Sequence, residues 1–225
     1  MKKGMKRLIV VLAAVVALAS CAPTRYVAPD LETAMDKVAI VAPFTYIEFL
    51  DQNNLKAYDD SLSGACAQLI TEALAQSTLP ATQVIPINFE SEDPAFADAL
   101  ASLRDINPKY AGLTHIPPVL RNLLLDNGAR YGVITFANGF SRDRKGYAKA
   151  AALGVGLAVL TAVISLGTVS AYAIPVKSEM SIWIGIVDAE EDCFLFYNAR
   201  YEEGAEPAIP QHVTHQIQKL LKPIQ

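Results

Sequence analysis

The chain has 225 residues, enough for one domain with a real core, and 52% of them are hydrophobic. Its formal net charge is −4, with 19 Lys and Arg against 23 Asp and Glu. That acidic balance argues against binding to nucleic-acid phosphates, which rewards clustered Lys and Arg, so no nucleic-acid partner is expected.

Lys2, Lys3, Lys6 and Arg7 precede an apolar run from Leu8 to Ala19, followed by Ser20 and Cys21. A basic start, a short apolar stretch and small residues before a cleavage point make a secretory signal over residues 1–20. The stretch Leu18-Ala19-Ser20-Cys21 resembles the lipobox of bacterial lipoproteins. The resemblance implies a lipid on Cys21 (no other cofactor is expected), cleavage before it, and a protein held at the bacterial outer membrane on its periplasmic face. Ala22, where an aspartate would oppose outer-membrane sorting, agrees with that place. Removing the leader takes four basic residues and no acidic ones, so the net charge becomes −8.

Residues 21–36 contain Pro23 and Pro29 and no apolar period, and read as a tether of up to about 50 Å at about 3.3 Å per residue. A single domain, residues 37–225, follows. Val38 to Ala42 is an apolar run stopped by Pro43, the pattern of a strand covered on both faces. Asp51 to Asn54 is a polar loop. Tyr58, Leu62, Ala65, Leu69 and Ala73 recur at helical spacing, widened by Ile70 and Leu74, and Pro80 closes the region. Thr82 to Ile87 is a short strand. Asp93-Pro94 caps a helix carried by Phe96, Ala99, Leu100 and Leu103. Pro117-Pro118 starts another, through Leu120, Leu123 and Leu124, which ends at Gly128.

Tyr131 to Phe140 is a strand. Met180, Ile182, Ile184 and Ile186 alternate with Ser181, Trp183, Gly185 and Val187, an acidic turn spans Asp188 to Asp192, and Phe194 to Tyr197 returns, giving an antiparallel hairpin. Pro210 opens a last helix with Val213, Ile217, Leu220 and Leu221 inward and Pro223 as its stop. The fold class is therefore α/β: a mixed sheet with flanking helices, a C-terminal hairpin plus helix, and an apolar insertion at 147–176 expected to be helical.

Three stretches carry a resemblance: Lys37 to Phe44, Gly128 to Thr135, and the pair Ser181 to Asp188 with Phe194 to Tyr197. They resemble the family of envelope lipoproteins that includes the TolB N-terminal domain and the CsgG-like secretion lipoproteins. The turn after Asp188 reads Ala-Glu-Glu-Asp in place of the usual Thr-Gly. The resemblance implies a non-enzymatic module that binds envelope proteins and assists assembly; the alternative is a subunit of a membrane-associated oligomer or secretion channel of the CsgG type.

Ala150 to Val176 is 27 residues without a charge, a membrane-span candidate on length. Gly154, Ala158 and Ala162 lie at four-residue spacing, which lets helices approach closely and makes them candidate contacts for a membrane or a homo-oligomer. Three readings stay open: a helix or helix pair buried against the domain or a partner, a membrane-contacting oligomer segment, and a conventional inner-membrane span. The flanking Arg142, Arg144, Lys145 and Lys149 argue against the last, because they would belong in the cytoplasm.

No nucleophile-and-base pattern occurs, so no catalytic residue and no enzyme activity is expected. His212 and His215 share a helix face without a nearby Cys or carboxylate and read as solvated, and Glu190, Glu191 and Asp192 read as a hydrated turn, so no metal ligand is expected. Gly154-Val155-Gly156 lacks the third glycine of a dinucleotide loop. Ser141 to Lys145 is a cationic cluster, either a solvated loop or a docking surface. Cys66 and Cys193 could pair in an oxidising compartment, or could be a small buried residue and a hairpin residue far apart.

Overall fold

A computed structural model describes residues 25–29, 31, 35–88, 94–143, 145, 147–148 and 176–224. In chain order the elements are β1 (Arg25–Val27), β2 (Met35–Val41), β3 (Phe44–Leu50), β4 (Lys56–Tyr58), α1 (Asp60–Ala75), β5 (Ala81–Ile87), α2 (Pro94–Arg104) and α3 (Pro118–Asp126), then β6 (Tyr131–Arg142), β7 (Ser178–Asp188), β8 (Cys193–Glu203) and α4 (Pro210–Leu221). A 3-10 turn, Pro108–Leu113, links α2 to α3.

The mixed sheet has eight strands in the order β1-β8-β7-β6-β2-β5, with β3 and β4 branching from β6. The branch follows from Pro43. β2 and β3 run parallel to the same edge of β6, β2 opposite Tyr131 to Val133 and β3 opposite Phe136 to Arg142. Pro43 stands between them, has no N–H to give the ladder, and divides what would be one long strand into two. Beyond the break, β5 extends the sheet from β2, and β4 extends it from β3 as an antiparallel ribbon.

Helices cover both faces. On one, Cys66, Ile70 and Leu74 of α1 and Val213, Ile217 and Leu221 of α4 pack on Met180, Ile182, Ile184 and Ile186. On the other, Leu100 and Leu103 of α2 and Leu120 and Leu124 of α3 pack on Val41, Trp183, Val187 and Phe194. The side chains of β7 thus alternate between two cores, as the period of two requires; a bulge between Ile186 and Val187 adjusts the register before the turn. The expected α/β class, hairpin and final helix are all present. Gly128 takes φ +63° after α3, and its N–H and that of Ala129 return to Leu125 and Leu124.

Several expected boundaries shift, among them the return strand of the hairpin, which runs Cys193–Glu203 where Phe194 to Tyr197 is expected. Arg25–Val27, inside the stretch read as tether, is an edge strand on β8, and Ala28 and Leu31 are buried. A three-residue strand between prolines has no periodicity to announce it and exists through its partner alone. The first central strand begins at Met35, two residues before Lys37. Tyr58 belongs to β4 rather than to the helix, because the Asp59 carboxylate accepts the Leu62 N–H at 2.9 Å and starts α1 after it. The insertion 147–176, apart from Tyr147, Ala148 and Val176, lies outside the described residues, as do the leader and Cys21.

Candidate functional site

The two ends of the β6–β7 pair differ in construction. At one end the chain turns within four residues, Ala189 to Asp192, and the polar groups interlock. Asp188, 3% exposed, ends β7. Arg130, just before β6, grips it with Nε at 3.0 and 2.9 Å and Nη2 at 2.7 Å. The carboxylate also accepts the backbone N–H of Glu190 at 3.0 Å and Glu191 at 3.1 Å. Its hydrogen bond holds the Arg130 guanidinium charged beyond its ordinary range. Glu190 pairs with Arg130 at 3.1 Å, Arg121 of α3 donates to the Ala189 carbonyl at 2.7 Å, and Asp192 accepts from the Ile116 N–H at 3.0 Å and meets His115 Nδ1 at 2.9 Å.

The turn expected to be hydrated is thus partly a structural latch. Glu190 and Glu191 stay exposed, whereas Asp192 closes the gap to the loop before α3. Nothing in the sequence marked Arg130 for this task. A lone Asp ending an apolar strand demands a cation, but only the register that sets Tyr131 opposite Asp188 says which one.

At the other end β6 stops at Arg142 and β7 starts at Ser178, and the chain between them carries Asp143, Arg144, Lys145 and Lys149 before the uncharged run 150–176. The β3–β4 ribbon reaches this end, with Leu50 opposite both Arg142 and Lys56. Asp51 shapes its loop by accepting the N–H groups of Asn53 at 2.8 Å and Leu55 at 2.9 Å, and the Arg142 guanidinium donates to the Asn54 side chain. Leu55, Tyr46 and Tyr58 are exposed here, and the two tyrosine rings stack at 5.2 Å. They flank a cleft of about 410 Å³ against α1, lined by Pro43, Phe44, Asp60 and Ser63. Arg142 and Lys56 both lie over the Phe140 ring, so the cationic cluster at Ser141–Lys145 is partly folded onto an aromatic surface.

The other candidates separate. Nδ1 of His212 accepts the Glu206 N–H at 2.8 Å, fixing the loop before α4. His215 instead lines a groove of about 550 Å³ between α1 and α4, beside Lys219 and Lys222. Among the described residues no group of three or more His, Cys, Asp or Glu is placed to hold a metal ion. Cys66 and Cys193 are not joined in a disulfide. Cys66 is fully buried, and burial pushes its thiol up to about 12, the opposite of what a nucleophile needs. Among the described residues no helix is long and apolar enough to cross a membrane. Gly154, Ala158, Ala162 and the lipidation candidate Cys21 fall outside the described residues.

No family model matches the chain, and no curated protein matches it. Solved structures of similar arrangement include the PelC dodecamer from Paraburkholderia phytofirmans, 11% identical over 89% of this chain and 96% of that one, with a TM-score of 0.42. Another is the hypothetical protein CT253 from Chlamydia trachomatis, 8% identical over 85% and 96%, with a TM-score of 0.39. A third is lipoprotein GNA1162 from Neisseria meningitidis, 11% identical over 84% and 95%, with a TM-score of 0.33. Likenesses this distant do not say how this chain works.

Proposed function

We propose that this chain is a lipid-anchored protein of the bacterial envelope, held at the periplasmic face of the outer membrane and acting through protein contacts without catalysis. The observation that carries the reading is Cys21 at the end of a secretory leader, four residues before the first strand of the domain. Four residues reach at most about 14 Å. A lipid on Cys21 therefore holds the domain close to the bilayer, much closer than a tether running to residue 36 would. The test is to express the chain with a labelled fatty acid and weigh the amino-terminal peptide. The expected result is a diacylated Cys21 in the membrane fraction and an unlabelled, extractable Cys21→Ala variant. An unmodified cysteine with the leader still attached would overturn it.

The uncharged run favours a second reading, a subunit of a membrane-associated oligomer of the CsgG-like kind. Light scattering of the mature chain, with and without residues 150–174, separates the two. A monomer in both cases supports the tethered module, and a ring-sized species lost on deletion supports the oligomer.

A further inference from the structure

The amino-terminal segment and the long insertion both join the sheet at one end. β1 runs antiparallel to β8, with Arg25 opposite Asn198 and Val27 opposite Phe196. The amino-terminal end of β1, with Cys21 four residues before it, is thus directed toward the Glu203 end of β8. Ser141 and Ser178, near the ends of the strands between which the long insertion lies, are paired at that same end. The tip of the β3–β4 ribbon arrives there too, through Leu50 opposite Arg142.

The side chains at this end suit a lipid surface. Leu55 at the tip is 67% exposed, and Tyr46, Tyr58 and, on β8, Tyr201 stand behind it at 45, 49 and 58%. An aliphatic tip with phenols set back matches a bilayer, whose hydrocarbon takes the leucine and whose headgroup layer takes rings with one polar edge. The Tyr201 hydroxyl is held by Glu179 at 2.9 Å, which keeps the phenol protonated. Arg142 and Lys145 put positive charge at the same end as Glu179 and Glu203, Glu48 is paired with Lys56 at 3.3 Å, and Asp51 is turned onto its own loop. The far end also exposes a leucine, Leu113 at 82%, but there β7 and β8 are joined by a four-residue turn, and neither the Cys21 side of β1 nor the insertion joins the sheet.

We propose that the end of the sheet led by Leu55, with Tyr46, Tyr58 and Tyr201 behind it, lies against the bilayer that holds the Cys21 lipid. The inference rests on the lipidated reading of Cys21 and adds an orientation to it. A lipid anchor fixes distance but leaves the domain free to rotate, and a second, weak contact removes that freedom.

The test places a polarity-sensitive fluorophore at Leu55→Cys or, as control, at Leu113→Cys, in the lipidated chain carrying Cys193→Ser. The protein is reconstituted in vesicles of phosphatidylethanolamine with a minority of phosphatidylglycerol. At position 55 the expected result is a blue shift, with quenching by spin-labelled acyl chains several-fold above that at 113. Equal quenching at both, stronger quenching at 113, or none at either would overturn the orientation. So would a blue shift at 55 that appears without vesicles and grows with protein concentration, which would assign the surface to a second copy of the chain. Intact mass on the same samples reads the Cys21 lipid independently, so failure of the anchor and failure of the orientation are distinguishable.

Discussion

The β6–β7 pair is closed at one end and open at the other, and the contrast separates what holds this molecule together from what it presents. At the closed end a four-residue turn is tied to β6 and α3 by Arg130, Arg121 and Asp192, above a cluster of Trp183, Phe194 and Tyr197 packed edge to face. At the open end the two strands lead into the insertion, and the flanking side chains are exposed leucine and tyrosine. Buried, satisfied polar groups at one end and exposed apolar ones at the other are the marks of a stability site and a contact site.

The contrast is easiest to break at Phe194. Its ring is fully buried against Trp183 and Tyr197, and Phe194→Ala is expected to cost about 3–5 kcal/mol in urea unfolding, the transfer and cavity terms together. A loss below about 1 kcal/mol would mean that the closed end does not carry the fold. Next comes Asp188→Ala, expected to cost about 2–3 kcal/mol through the hydrogen bonds of a buried carboxylate. Arg130, 40% exposed, can turn to water and so adds little to that cost. Asp188→Asn keeps an acceptor for the turn amides, so a smaller loss separates their share from that of the charge.

The closed and open ends were not equally legible in the sequence. The α/β class, the hairpin, the last helix and the Gly128 stop could be read because each depends on a local signal: period two, period 3.6, or a residue suited to positive φ. The Arg130 latch spans 58 positions and exists only through strand register. The β3–β4 ribbon escaped notice for a related reason. Phe44 to Leu50, with Thr45 and Glu48 among its apolar residues and most of them half-buried, shows no clean alternation, and its three-residue partner β4 has no pattern of its own. The contact end was hidden as well, because exposed tyrosines acquire meaning only when topology brings them to the end where the amino-terminal segment and the insertion join the sheet.

Glycines sharpen the comparison along β6 itself. A Cβ on Gly132, near the closed end, would meet the Leu124 side chain at 2.6 Å, whereas one on Gly139, near the open end, would meet the Glu179 carbonyl oxygen at 2.2 Å. A side chain can move aside more cheaply than a paired strand. Gly139→Ala is therefore expected to cost about 2 kcal/mol and Gly132→Ala about 1, by overpacking. The reverse order in thermal unfolding would mean that β7 yields at its open end. A milder effect comes from alkaline pH. The Cys66 thiol titrates near 9.0 when free and about 12 when folded, so the folded state holds its proton longer and stability falls as pH rises through that window. The slope approaches about 1.4 kcal/mol per pH unit, and the loss is about 1.4 kcal/mol at pH 10. Stability of Cys66→Ala should fall less steeply from pH 9 to 11, and an unchanged slope would assign the alkaline loss to other groups.

The smallest expected effect on stability is at Leu55, and its smallness is informative. A side chain 67% exposed at a loop tip has little packing to lose, so Leu55→Glu should change unfolding free energy by less than about 0.5 kcal/mol. If that end meets a bilayer, the same substitution puts a carboxylate where hydrocarbon should be, and vesicle association should weaken while the fold stands. A large loss of stability would show that Leu55 supports the β3–β4 ribbon, and the two ends would no longer divide the work between them. Unchanged stability with weakened vesicle binding would separate contact from folding at a single side chain.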